Sequence, residues 1–370
     1  MRFLQPRWFS LSGAAVVAVL TAAVAVIVAG FAAPLAQAQG TDSVPAAPSS
    51  LSPQDRLPVG ATAQEYVRRG REFYLAEKYA SAVAAFSLAL EADPNNASVY
   101  NSRGNALSGL KQYEKAIADY DRSISMDPSQ AGAYFNRAFA YDDMGQYEKA
   151  IADYGDSIRL QPDDSRTYVR RGIAWGRRQQ IDKAIADFDK AIAVNAGKTA
   201  ATAAPKPGSD NDTLARPYYN RGIAYDRQKQ YDKAIADYSV ALRLGLTPED
   251  QAGAFRCRAD VLVVQGQFRK ALIDDNESLR LRPNPDTYYS RGIVFMYLRN
   301  WDLAVADFDE ALRLKPDFDI PHYNRGYAYA NLRRYDKAIA DLQKFLELRP
   351  GADNADEVRT MIIALQKRQP

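Results

Sequence analysis

The chain has 370 residues, with 48 Lys and Arg against 45 Asp and Glu, a formal charge of +3, one histidine and one cysteine. A charge balance this near neutrality, with both signs interleaved, argues against a general nucleic-acid binder, which would gather a basic excess on one face. One His and one Cys exclude a metal centre of the usual zinc composition and any internal disulfide, leaving only a disulfide to a second chain open to Cys257.

At the start, Arg2 and Arg7 precede an uncharged Ala/Val-rich run from Gly13 to Ala33, followed by Ala36-Gln37-Ala38. A basic start, an apolar segment and an Ala-x-Ala site predict a signal peptide over residues 1–38, cleaved after Ala38. The apolar run also reaches spanning length, so an uncleaved anchor over residues 13–33 is the alternative. Export to the periplasm is expected in the first case. In the second, the rest of the chain is held outside the cytoplasm on the inner membrane. Residues 39–60, rich in Pro, Ser and Ala, read as a flexible linker.

From there a unit recurs. A small residue stands at Gly70, Gly104, Ala138, Gly172, Gly222, Ala259, Gly292 and Gly326, in steps of 34 residues apart from one of 50, one of 37 and one of 33. A closing proline follows at Pro94, Pro128, Pro162, Pro283, Pro316 and Pro350, with Ala196 and Leu246 in its place in the fourth and fifth units. Within the second unit, Tyr100, Leu107, Tyr113, Ala116, Ile117 and Tyr120 keep helical spacing. They predict two helices, about Ala97–Leu110 and Tyr113–Ser125. Gly104 and Ala116 are small where the two helix backbones approach, and Pro128 cannot continue a helix. Such a hairpin leaves an apolar face bare, so it is stable only when stacked on its neighbours.

The order aromatic, Gly, aromatic, Ala, aromatic, Pro is met by Tyr66, Gly70, Phe73, Ala82, Phe86 and Pro94. It is met again by Tyr288, Gly292, Phe295, Ala304, Phe308 and Pro316, and, but for the proline, by Tyr218, Gly222, Tyr225, Ala234 and Tyr238. This resembles the tetratricopeptide repeat family, in eight units from Ala63 to about Pro350. The resemblance implies an all-α, right-handed superhelical solenoid of helical hairpins. It also implies a concave groove lined by first helices and a role in binding other proteins, often as extended peptides.

There are departures. Where the family usually has Leu before the Gly slot, every unit here has Arg: Arg69, Arg103, Arg137, Arg171, Arg221, Arg258, Arg291 and Arg325. Second helices carry Asp119, Asp153, Asp187, Asp237, Asp274, Asp307 and Asp341 at matching sites, and only the first unit differs, with Ala85. Folding each hairpin brings the two series together, as ion pairs that fix the stacking or, on the functional reading, as a basic ligand track. The sixth unit has Asp275 where others place an aromatic, which predicts looser packing.

Residues 197–213, a run of Thr, Ala, Pro, Gly, Ser, Asp and Asn, read as a flexible insertion. It separates a block of four repeats over residues 61–196 from a second block over residues 214–350. Over residues 351–370, Val358, Met361, Ile362 and Leu365 share a helical face that predicts a C-terminal capping helix, with Asp353 as its cap.

No catalytic constellation emerges. His322 occupies the slot held elsewhere by Tyr66, Tyr100, Tyr134, Tyr168, Tyr218, Phe255 and Tyr288, which predicts packing, and the solenoid separates it from Cys257. Glycines sit at hairpin crossings and turns and form no phosphate loop, so no enzyme activity, cofactor or metal is expected. First-helix slots flanking the packing positions give groove candidates: Phe135, Asn136, Phe139, Tyr219, Asn220, Ile223, Tyr289, Ile293, Tyr297, Tyr323, Asn324 and Tyr327. Amides that donate and accept, beside amphipathic aromatics, suit an extended peptide, although part of the aromatic set could pack against the next unit instead. Arg166, Arg170 and Arg177 in the fourth unit and Arg216 and Arg227 in the fifth predict a basic spot for an acidic segment, with Asp142 and Asp143 near enough to neutralise it.

The expected function is therefore a protein–protein interaction scaffold of the bacterial periplasm or cell envelope, holding a protein or peptide. The alternative is a polysaccharide stacked on groove tyrosines. No nucleic acid is expected as partner, and a membrane only through an uncleaved amino-terminal segment.

Overall fold

A computed structural model of the chain describes residues 60–201 and 211–368. The expected signal or anchor, nearly all of the linker and the middle of the insertion lie outside the described residues. No helix among the described residues is long and apolar enough to cross a membrane.

Every regular element among the described residues is an α-helix, and sixteen of the seventeen pair into eight antiparallel hairpins. In chain order the pairs are α1 (Ala63–Leu75) with α2 (Tyr79–Ala92), α3 (Ala97–Gly109) with α4 (Tyr113–Met126), α5 (Ala131–Asp143) with α6 (Tyr147–Leu160), and α7 (Ser165–Arg177) with α8 (Ile181–Ala201). The second half pairs α9 (Asn211–Arg227) with α10 (Tyr231–Leu244), α11 (Pro248–Val264) with α12 (Phe268–Leu281), α13 (Pro285–Tyr297) with α14 (Trp301–Leu314), and α15 (Asp319–Asn331) with α16 (Tyr335–Leu348). The last helix is α17 (Ala355–Gln366).

All eight hairpins turn by one device. Glu77, Lys111, Gly145, Gln179, Lys229, Gly266, Arg299 and Arg333 take left-handed φ values of 58–73°. In the second hairpin the amide of Lys111 donates to Ser108 O and that of Gln112 to Leu107 O. This paired closure satisfies the last carbonyls of the first helix and stops it. Only two of the eight turn residues are glycine, so the turn is written more by these bonds than by composition.

Inside six of the eight hairpins the small slot faces a second-helix aromatic, while Leu342 takes the ring's place in the eighth and Asp275 in the sixth. A Cβ added at Gly70, Gly104, Gly172, Gly222 or Gly292 would come within 2.6–2.8 Å of the ring of Phe86, Tyr120, Phe188, Tyr238 or Phe308, respectively. The rings of Phe86, Tyr120, Tyr154, Tyr238 and Phe308 are almost completely buried and form the cores of their repeats.

The repeated arginines and aspartates meet in all seven units that carry both. Arg103–Asp119, Arg137–Asp153, Arg171–Asp187, Arg221–Asp237, Arg258–Asp274, Arg291–Asp307 and Arg325–Asp341 each form a two-pronged bond. Nε and Nη2 donate to the two carboxylate oxygens at 2.7–2.8 Å. The aspartates are buried, unlike a surface pair, and in all but the last unit the guanidinium also lies over the aromatic three residues earlier, as Arg137 does over Tyr134. In the last unit that slot holds His322, packed with its side chain 12% exposed and with Nδ1 at hydrogen-bonding distance, 3.1 Å, from Asp341 Oδ1.

The remaining nitrogen, Nη1, reaches backward. It donates to the second helix of the preceding repeat: Arg103 to Ser87, Arg137 to Asp121, Arg221 to Asp189, Arg258 to Ser239, Arg291 to Asn276 and Arg325 to Asp309. One arginine therefore closes its own hairpin and fastens it to the one before. Arg171 is the exception, because Gly155 occupies the acceptor slot and offers only its Cα, with Nη1 3.7 Å from where a Cβ would stand.

First helices of successive repeats touch one another at all seven junctions, while second helices make no comparable contact. That asymmetry places first helices on the inner side of the solenoid. It persists across the insertion, where α8 stays helical to Ala201 and α9 begins at Asn211. Residues 197–201 and 211–213, read from composition as loop, are thus helical, and Pro217 lies within α9. Arg221 still reaches Asp189, Gln228 donates to Asp182 at 2.7 Å and Arg227 to Gly176 O at 3.1 Å. At the far end α17 lays Val358, Ile362 and Leu365 on Ala338, Ile339, Leu342 and Phe345, covering the last apolar face. Its cap falls at Asn354, one residue beyond the expected Asp353, without a side-chain capping bond.

Because Asp153 is buried and doubly bonded, Arg137→Ala and Asp153→Ala are expected to be non-additive. A thermodynamic cycle with the double variant should give a coupling of roughly 1–3 kcal/mol. Chemical denaturation of the four proteins measures it, and additive losses would remove the pair from the forces holding the hairpin.

Candidate functional site

The concave wall is built by side chains flanking the small slot on first helices. Of the five central arginines, four are already engaged. Arg166 is held by Asp164, the cap of its own helix, at 2.9 Å, and Arg177 donates to Asp142 at 2.7 Å. Arg216 pairs with Asp250 at 2.9 Å, and Arg227 donates to the Gly176 carbonyl. Asp142 is only 3% exposed, and burial raises its carboxyl above the ordinary 3.8 although Arg177 pulls it down. The basic spot is thus largely neutralised from within.

Arg170 differs. It has no hydrogen-bond acceptor among the described residues, and its guanidinium lies 4.9 Å from the centre of the Phe139 ring. It stands at the rim of an open cleft of about 310 Å³, lined by Tyr74, Asn105, Ser108, Gly109, Tyr120, Phe135, Asn136, Phe139 and Arg170. These come from the first helices of the first four repeats, with Tyr120 from a second helix. The amide of Asn136 donates to Asn101 at 3.0 Å, and Asn105 accepts from Tyr120 Oη at 2.9 Å. Phe135 meets Tyr154 edge-on, so its ring is shared between core and cleft.

The other candidates scatter. Tyr289 and Asn324, expected on the groove surface, are 5% and 2% exposed, and Asn324 Nδ2 donates to Tyr289 Oη at 3.0 Å. They seal the seventh repeat to the eighth. Ile293 is buried as well. Tyr219 packs on Tyr238, Tyr323 on Phe345, Tyr327 on Trp301 and Tyr297 on Phe268. Asn220 donates to the Arg216 carbonyl of its own helix. The structure therefore brings Phe135, Asn136, Phe139 and Arg170 together and disperses the rest.

Two groups were not singled out by the sequence. Asn105 and Ser108 belong to the cleft, and the signal was there, since Asn105 follows Gly104 as Phe139 follows Ala138. The second group is acidic. Asp226 and Asp260 sit on adjacent first helices; burial and the neighbouring Asp260 push Asp226 up to about 6. Burial likewise raises Asp260, against the pull of Arg256 and Ser290. Behind them Asp275 is fully buried with neither carboxylate oxygen hydrogen-bonded among the described residues, and burial holds its carboxyl far above the ordinary range. In the sixth repeat Ala259 holds the small slot and Asp275 stands where a ring would be, so the repeat is polar inside as well as lacking an aromatic. Among the described residues no group of His, Cys, Asp and Glu is arranged to hold a metal ion.

Comparison with known proteins bears on this architecture. Models described as tetratricopeptide repeat match residues 97–130, 131–164, 215–244 and 289–353. The chain is similar to the crystal structure of a tetratricopeptide repeat protein from Parabacteroides merdae, with 20% identity over 72% of this chain and 98% of that one and a TM-score of 0.51. It is also similar to a chain of the APC/C hetero-tetramer Cut9–Hcn1, with 15% identity over 80% of this chain and 54% of that one and a TM-score of 0.52. No curated protein matches the sequence.

Asp275 gives the sixth repeat a distinct response to pH. An acid whose folded pKa is raised keeps a proton that the unfolded chain releases near pH 4, so its neutral form stabilises below that and the benefit falls as pH rises. For Asp226 the decline runs from about pH 4 to about 6. Restoring the usual pair, Asp275→Phe with Ala259→Gly, is expected to raise stability at pH 7.5 by roughly 1–3 kcal/mol and to flatten the loss between pH 5 and 7.5. Thermal melts across that range check it; an unchanged slope would show that Asp275 does not hold its proton.

Proposed function

We propose, on the premise that this chain is a tetratricopeptide-repeat protein, that it is a non-enzymatic scaffold which holds an extended segment of another protein in its concave groove, anchored in the cleft of the first four repeats. The observation that carries this is Arg170. It alone among the central arginines keeps its donors unspent, and it keeps them beside an aromatic floor and two amides. A guanidinium is suited to a carboxylate, Phe135 and Phe139 to an apolar side chain, and Asn105 and Asn136 to a peptide backbone. The cleft thus suits a short segment in which an acidic residue, or a chain terminus, neighbours an apolar one. Stacking on sugar rings has less support, because the rings of Tyr219, Tyr289 and Tyr323 are packed against core aromatics.

The location proposed for this scaffold is the periplasm or cell envelope. It rests on the basic start, the apolar run and Ala36-Gln37-Ala38. Amino-terminal sequencing of the native protein is expected to begin at Gln39. A chain retaining Met1 in the membrane fraction would favour the anchor, and a soluble cytoplasmic chain of full length would overturn both forms of export.

For the cleft, the probe is a fluorescein-labelled peptide Gly-Ser-Gly-Glu-Phe-Gly-Ser-Gly, followed by anisotropy against the full chain. Arg170→Gln and Phe139→Ala should each weaken binding at least tenfold and leave helicity unchanged. Residual binding to Arg170→Gln should respond less to salt. Absence of binding, or equal affinity in both variants, would take the cleft out of recognition.

A further inference from the structure

At two successive junctions of the groove one contact recurs, and at the next junction its cationic half is missing. Arg177, five residues after its small slot, reaches back to Asp142, four residues after the slot of the preceding repeat. Arg227 occupies the same position one repeat later and reaches back in the same way, to the carbonyl of Gly176. Both describe a fixed geometry, in which that residue lies over the end of the previous first helix. In the sixth repeat the position is held by Val264, which is 37% exposed, and the residue it would cover is Asp226. The Asp226 carboxylate has neither hydrogen bond nor ion pair among the described residues, while its backbone carbonyl accepts from Lys229 N. Its counterpart Asp142 is neutralised by an arginine, whereas Asp226 has an apolar side chain in that arginine's place.

The surroundings add further carboxyl groups. Asp260 comes from the next first helix, accepting from Ser290 Oγ at 2.8 Å and pairing with Arg256 at 3.1 Å. Asp275 lies beneath it. In the second repeat the equivalent Tyr120 points its hydroxyl at Asn105, the equivalent of Asp260, so the Asp275 side chain is directed towards the same place, with both oxygens unpartnered and no exposure to solvent. Asp286 also acts on Asp260 and Arg256. Against these carboxyl groups stand Arg256, spent on Asp260, and Arg227, turned to Gly176.

We propose that the junction of the fifth and sixth repeats is a cation subsite, in which Asp226 and Asp260 receive the ammonium or guanidinium group of a basic side chain while Val264 supports its aliphatic stem. It rests on the reading that the concave groove holds a peptide, and extends that reading to a ligand of mixed charge, acidic towards the first four repeats and basic towards the fifth and sixth. The incoming group takes the place that Arg177 fills two repeats earlier, which is why a long side chain with a terminal positive charge fits better than a compact metal ion.

The test uses the full chain and two labelled peptides, Gly-Ser-Gly-Lys-Phe-Gly-Ser-Gly and its Gln counterpart, at low salt. The Lys peptide is expected to bind at least tenfold more tightly than the Gln peptide. Asp226→Asn should abolish that preference without lowering the melting temperature. Val264→Arg, which supplies the missing partner from within, should abolish it too, and Arg359→Gln, on the last helix and outside both sites, should leave it intact. If the Gln or Glu peptide binds but Lys brings no advantage, or if Asp226→Asn retains it, the subsite is overturned while the groove reading stands. If no peptide binds, the groove reading fails and spermidine decides. Spermidine binding that Asp226→Asn abolishes would keep the subsite with a free polyamine as occupant, and spermidine binding that is absent or unchanged would overturn it.

Discussion

A solenoid has no closed core, so each unit must be told both how to fold and where to sit. Here one guanidinium does both. Two of its nitrogens grip a buried aspartate across the hairpin, its face lies on an aromatic of its own helix, and its third nitrogen reaches the previous repeat. A buried carboxylate would be costly alone, and the planar two-pronged geometry offsets that cost in a way a lysine could not. Because the same group serves both contacts, a repeat cannot lose its internal pair without also loosening its junction. Apolar stacking supplies most of the stability, and the arginine layer adds direction to it.

That layer lies away from the groove, which leaves the concave wall free to differ from repeat to repeat. Its charge is mostly cancelled locally, by Asp164, Asp142 and Asp250. On the reading proposed above, recognition falls to the few groups left over, Arg170 in one half and Asp226 in the other. A wall of this kind reads a ligand at separated points and tolerates variation between them, which suits a scaffold.

Much of this was legible from residues alone. The repeat length, the small slot and the matched Arg and Asp series are identities recurring at fixed intervals, and local chemistry suffices to pair them. The turn was not legible, because its left-handed residue is Glu77, Lys111, Gln179, Lys229, Arg299 or Arg333 as often as not, and only Gly145 and Gly266 advertise it. Nor was the site. Whether an arginine is available depends on what the adjoining repeat places opposite it. Arg177 and Arg170 look alike in sequence, yet one meets a buried carboxylate and the other meets a ring. The groove aromatics failed for a related reason, since Tyr289 and Asn324 satisfy each other across a junction and have nothing left to offer a ligand.

Gly155 leaves one joint fastened on a single side. Between the third and fourth repeats the outer tie from Arg171 is absent, while the inner tie from Arg177 to Asp142 and the bond from Arg178 to Glu148 at the hairpin end, at 2.7 Å, remain. A beam pinned along one edge bends about that edge. An outward opening of this junction would therefore break apolar packing but no arginine tie on its outer side. The one joint without its outer arginine tie is thus the joint across which Arg170 of the fourth repeat meets Phe139 of the third, so the cleft spans the place where neighbouring hairpins are tied least by charge.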